Sequence, residues 1–129
     1  MKRINQYIAL VMMMLLIACS KENQPKEWIS IYQSKFLEAY KIMDDNQIHI
    51  INEYLKGFKW QDKQIDTIGN SNLQFWLERE NEEYRIRSYE IWFHEHDNSA
   101  TIVEFREAKF AIIDRVELEQ LLQLLKSGH

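Results

Sequence analysis

LQFWLERENEEYRIRSYEIWFHEHDNSATIVEF, residues Leu73–Phe105, decides the fold, because its apolar residues recur at every second position. Successive side chains of a strand point to opposite faces, so alternation of this kind marks a half-buried sheet. Leu73, Phe75 and Leu77 share one face, and Trp76 stands on the other. Asn81-Glu82 can turn the chain. In EYRIRSYEIWFHE, Tyr84, Ile86, Ser88, Glu90 and Trp92 fall on one side, while Arg85, Arg87, Tyr89, Ile91 and Phe93 fall on the other. His96-Asp97-Asn98 supplies a second turn. Thr101, Val103 and Phe105 then alternate with Ile102 and Glu104, which completes a three-stranded antiparallel meander.

Downstream, Lys109–Ile113 can add a fourth strand. Asp114 with Glu117 three residues later forms a capping-box pattern, and Leu118, Leu121, Leu122 and Leu125 line one side of a terminal helix. Upstream, Trp28, Ile31, Tyr32, Lys35, Phe36, Ala39, Tyr40 and Met43 are spaced three and four apart, predicting a helix from Lys26 to Met43. Asp44-Asp45-Asn46 breaks it and can cap a second helix carrying Ile48, Ile51, Leu55 and Phe58 up to Gly57. Residues 60–72 are weakly patterned, with Gly69-Asn70 as the best turn. The expected fold is therefore α+β: two N-terminal helices, a three- or four-stranded antiparallel sheet, and a C-terminal helix.

The amino terminus has a different character. Lys2 and Arg3 precede eleven uninterrupted apolar residues, Ile8–Ala18. As a helix that run covers about 16 Å, half of a bilayer core, which suits a signal segment better than a permanent span. Leu16-Ile17-Ala18-Cys19 closes it and contains the chain's single cysteine. This stretch resembles the lipobox of bacterial lipoproteins. The resemblance implies diacylglyceryl transfer to the Cys19 thiol, cleavage after Ala18, and acylation of the new amino group. It covers residues 1–20 alone. An ordinary cleaved signal and an uncleaved membrane-proximal helix are the alternatives. Two or three buried acyl chains, at about 0.8 kcal/mol per methylene, hold a protein that one chain holds only reversibly.

The resulting organisation is a signal peptide at residues 1–18, a lipidated tether at 19–27 and one domain at 28–129. It places the protein on the extracytoplasmic face of a bacterial membrane. In a two-membrane organism Ser20 favours the outer membrane; otherwise the site is the cell membrane. The tether holds the only proline, Pro25. The processed chain keeps 14 basic and 20 acidic residues, a formal charge of −6. With no basic block, nucleic acid is disfavoured as a partner.

Few residues suggest chemistry. His94 and His96 share a strand face and are weak metal candidates, but they lie where the strand gives way to a turn and a third ligand is needed. Arg85 and Arg87 can grip an anion or a partner's carboxylates; cross-strand pairing with the surrounding glutamates is the simpler account. Trp76, Trp92, Tyr84, Arg85 and Arg87 form the candidate interaction patch, since aromatic residues and arginine dominate binding hot spots. No nucleophile elbow, zinc-protease helix or glycine-rich phosphate loop is present, and no cofactor is indicated. The favoured expectation is a membrane-anchored protein-binding lipoprotein. An inhibitor or immunity protein acting by steric occlusion is one form of it, with acidic residues steering a basic partner. A small-ligand or metal-binding envelope module and a small envelope enzyme are the alternatives.

Overall fold

The computed structural model describes residues 24–32, 34–62 and 69–127. The expected signal segment, Cys19 and the first part of the expected tether lie outside the described residues. The chain runs β1 (Glu27–Ile31), β2 (Tyr40–Ile42), α1 (Asp45–Lys56), β3 (Leu73–Arg79), β4 (Arg87–His94), β5 (Ser99–Glu104), β6 (Lys109–Asp114) and α2 (Arg115–Ser127). All six strands join one sheet in the order β2-β1-β3-β4-β5-β6, every neighbouring pair antiparallel.

The helix expected over Lys26–Met43 is absent, and the sheet has six strands instead of three or four. In its place stand β1 and β2. The reason lies in Ile29 and Ile31, which alternate with Trp28 and Ser30 and are 2% and 3% exposed. A helical stripe would have buried Tyr32, Phe36 and Met43; all three are exposed. β1 instead completes its backbone hydrogen bonds with β3, Ile29 opposite Leu77 and Ile31 opposite Phe75. Such pairing satisfies the obligatory backbone donors and acceptors from far along the chain, beyond the reach of a local period.

The remaining elements follow their sequence signals. Asp44 caps α1, its carboxylate accepting from the Asn46 N–H, and Lys56 suits the negative end of the helix dipole in the last turn. The capping box at α2 is reciprocal: the Asp114 N–H donates to Glu117 Oε1 (3.2 Å), and the Glu117 N–H donates to Asp114 Oδ1 (2.8 Å). Asn81, Asn98 and Ala108 take positive φ in the three turns of the meander. Asparagine tolerates that region; alanine adopts it only under constraint.

One face of the sheet carries Ile29, Ile31, Leu73, Phe75, Leu77, Tyr89, Ile91, Ala100, Ile102, Ala111 and Ile113. With Ile48, Ile51, Leu55, Leu121 and Leu125 these make a single core. Both helices therefore lie on that face. They are locked to each other by Gln47 Nε2 donating to the Leu124 carbonyl (2.8 Å) and the Tyr54 hydroxyl donating to the Glu117 carbonyl (3.1 Å). Among the described residues no helix covers the opposite face. The two edges of the sheet are β2 and β6, and Gln61 bridges to Phe110 on the outer side of β6.

Candidate functional site

Register fixes what the open face presents. Trp28 lies opposite Glu78, and Ser30 opposite Trp76, which in turn faces Ser88 on β4. The Trp28 indole N–H and the Ser30 hydroxyl (2.9 Å) both donate to Glu78 Oε2. The Trp76 indole N–H is buried and turned toward the same carboxylate, close enough to favour its charge but outside the geometry of a formed hydrogen bond. Burial opposes the ionised form of Glu78. The surrounding hydroxyl and indole donors and the Lys41 ammonium outweigh burial and hold the carboxyl below its ordinary range.

Two cations sit on these two indoles. Lys41 Nζ lies 5.5 Å from the centre of the Trp28 ring, and the Arg85 guanidinium carbon lies 3.7 Å from the centre of the Trp76 ring. A groove of about 600 Å³ opens beside them, lined by Ser30, Ile31, Tyr32, Ala39, Tyr40, Lys41, Trp76 and Glu78. Burial pushes the Tyr40 hydroxyl up to about 12.

The residues singled out by sequence are distributed unequally around this centre. Trp76 and Arg85 are at it. Tyr84 is adjacent in the chain, exposed, with the Arg106 guanidinium 5.6 Å from its ring centre. Trp92 shares the face but stands opposite Thr101, four residues along β4 from Ser88, about 13 Å away. Its indole N–H donates to the Gly69 carbonyl (3.2 Å).

Arg87 is on the helix side. β4 begins at Arg87 opposite Leu77, so the alternation that would group it with Arg85 does not extend back through the turn. Arg87 lines a cavity of about 180 Å³ with Leu55, Trp60, Tyr89 and Glu104. Of the weak metal candidates, His94 closes β4 and His96 lies in the turn that follows. His94 Nε2 lies 2.6 Å from Thr101 Oγ1, and Asp97 is taken by the Ser99 hydroxyl (2.7 Å). Among the described residues no group of three or more His, Cys, Asp or Glu is placed to hold a metal ion.

Trp28, Ser30, Lys41 and Glu78 belong to the site and were not reached from sequence. The usable signal was the short alternation Trp28-Ile29-Ser30-Ile31, which puts Trp28 and Ser30 on the face opposite the two isoleucines. No described helix is long and apolar enough to cross a membrane. Comparison with protein-family models, with curated proteins and with solved structures finds no match, so the site is read from its own geometry.

Proposed function

We propose that this is a membrane-anchored extracytoplasmic lipoprotein, held by lipid on Cys19, that binds a protein through the open face of its sheet. The anchoring rests on the sequence of residues 2–20. The binding rests on one observation: Trp28 and Trp76 lie on a sheet face that no described helix covers, with the Arg85 guanidinium over Trp76 and the exposed Tyr84 next to it in the chain. These are the residue types that concentrate binding energy when desolvated by a partner.

The two parts of the reading agree in space. Glu27 pairs with Arg79, so the turn that carries Tyr84 and Arg85 is at the end of the sheet where the chain enters. From Cys19 to Glu27 the chain reaches at most about 28 Å. A partner on this patch is therefore itself close to the membrane, and occlusion of that partner's surface is the mechanism available to an inhibitor or immunity form. Excess negative charge steers the approach of a net-positive partner over long range.

Crosslinked capture from the native envelope tests the reading, using the wild type, Cys19→Ser and Trp76→Ala. A saturable partner retained by the wild type and lost from Trp76→Ala is expected. Cys19→Ser should release the protein from the membrane fraction. Equal capture by wild type and Trp76→Ala removes the sheet face from the account.

A further inference from the structure

We propose that the Arg85 guanidinium, held over Trp76, is the point at which the open face receives a carboxylate of its protein partner. The inference rests on the reading of that face as a binding surface and names the chemistry it recognises. Three of the other described arginines have donors engaged within the protein: Arg79 pairs with Glu27 (2.7 Å) and Glu82 (3.4 Å), Arg115 with Glu119 (3.0 Å), and Arg106 with the Ile86 carbonyl (2.9 Å). Arg87 lies on the helix side, in the cavity it lines with Tyr89, Glu104 and Glu107. Arg85, by contrast, makes neither hydrogen bond nor ion pair with a described residue; its contact is the Trp76 ring.

Placement over the ring matters. A guanidinium lying over an indole keeps its five N–H donors around its rim, where they form a planar fork matched to a carboxylate. The ring fixes the fork before a partner arrives, which reduces the ordering needed on binding. Glu78, two residues along β3 from Trp76 on the same face, takes its donors from Trp28 and Ser30 and makes no ion pair with Arg85. The site therefore holds a poised cation without its anion.

The occupant is a protein segment. Trp76 also walls the groove that contains Ile31, Tyr32, Ala39 and Tyr40. That groove can seat the apolar residues flanking an aspartate or glutamate, for which a bare phosphate has no use. Long-range steering and short-range contact are then carried by different groups: the acidic surface draws in a net-positive protein, and Arg85 reads one carboxylate on it.

The test uses the full-length lipidated protein in detergent micelles, with the Arg85 Nε–H and Trp76 indole N–H followed by NMR. The probes are an acetylated, amidated Leu-Glu-Leu tripeptide, its Leu-Gln-Leu counterpart, and inorganic phosphate. Saturable shifts at both groups are expected with the glutamate peptide. About tenfold weaker binding is expected for the glutamine peptide, with loss of the shifts in Arg85→Gln and weakening in Arg85→Lys, which keeps the charge without the fork. Equal binding of the two peptides, undiminished binding by Arg85→Gln, or no saturable shift in the wild type overturns the proposal. Phosphate binding as tightly as the glutamate peptide overturns it in favour of an anion site. Failure here is separable from failure of the binding face. Envelope capture lost in Trp76→Ala but kept in Arg85→Gln preserves the face and removes the carboxylate; capture kept in both removes both.

Discussion

Trp28 on β1 donates its indole N–H to Glu78 on β3, so a side-chain hydrogen bond doubles the backbone pairing of the two strands on the solvent side. This bond is one of several that keep Glu78 ionised below the usual carboxylate range.

A depressed folded-state pKa contributes stability that is present above the unfolded value and lost as pH falls through the folded one. Trp28→Phe removes one donor and lets the Glu78 carboxyl rise toward its ordinary range. The variant should be less stable at neutral pH by about 1–2 kcal/mol. It should also lose less stability than the wild type between about pH 5 and pH 3. Urea midpoints at neutral and acid pH check both, and parallel acid slopes would contradict the assignment.

Ile29 and Tyr32 separate the strand from the helix that their spacing suggests. Ile29→Ala should cost about 2–4 kcal/mol, because a buried side chain leaves a cavity in the core. Tyr32→Ala, at a residue 60% exposed, should change stability by less than about 0.5 kcal/mol. The opposite order in denaturant unfolding would restore the helix.

Glu104 is 6% exposed, and its two oxygens accept from the Arg106 N–H (3.0 Å) and the Glu107 N–H (2.8 Å). It thereby closes the β5–β6 turn in which Ala108 has φ 53°. Glu104→Gln replaces one acceptor by a donor and should destabilise by about 1–3 kcal/mol. Ala108→Gly relieves the left-handed backbone and should be neutral or stabilising by up to about 1 kcal/mol. Thermal melting of the two variants reads the signs directly.

Tyr40 has its pKa raised from 10.0 to about 12 by burial. A raised folded-state value gives stability that is complete below pH 10 and lost as pH climbs toward 12. Tyr40→Phe should therefore move the alkaline unfolding midpoint upward. Circular dichroism between about pH 9 and pH 12 measures it, and an unchanged midpoint would place the alkaline transition elsewhere.

What the sequence carried depended on the distance over which each signal acts. Leu73, Phe75 and Leu77, the Asp114–Glu117 box and the Ile48–Ile51–Leu55 stripe are local patterns repeated within one element, and each is found as read. β1 offers only two isoleucines in alternation and β2 only three residues, while Tyr32, Phe36 and Met43 happened to complete a helical stripe. Deciding between them required knowing that β3 lies beside β1, more than forty residues away in sequence.

The site shows the same division. Trp76 was legible as an aromatic facing away from Leu77 and Phe75. Its neighbours Ser30 and Glu78, and the role of Trp28, come from the β1–β3 register. Arg85 was grouped with Arg87 by strand parity, but the turn ending at Ile86 rotates Arg85 onto Trp76 and leaves Arg87 with Tyr89.

The edges of the sheet have a consequence for copies at high concentration. A free strand edge invites another chain to extend the sheet, and crowding makes such encounters frequent. Here β2 offers three residues centred on Lys41, a length and a charge that discourage addition. On β6, Phe110 exchanges both its outward hydrogen bonds with Gln61, and the Asp114 N–H is held by Glu117. What remains is a short stretch around Ile112, too little for an incoming strand. Copies of the protein can therefore be packed densely, with the aromatic face available, without their sheets joining edge to edge into fibres.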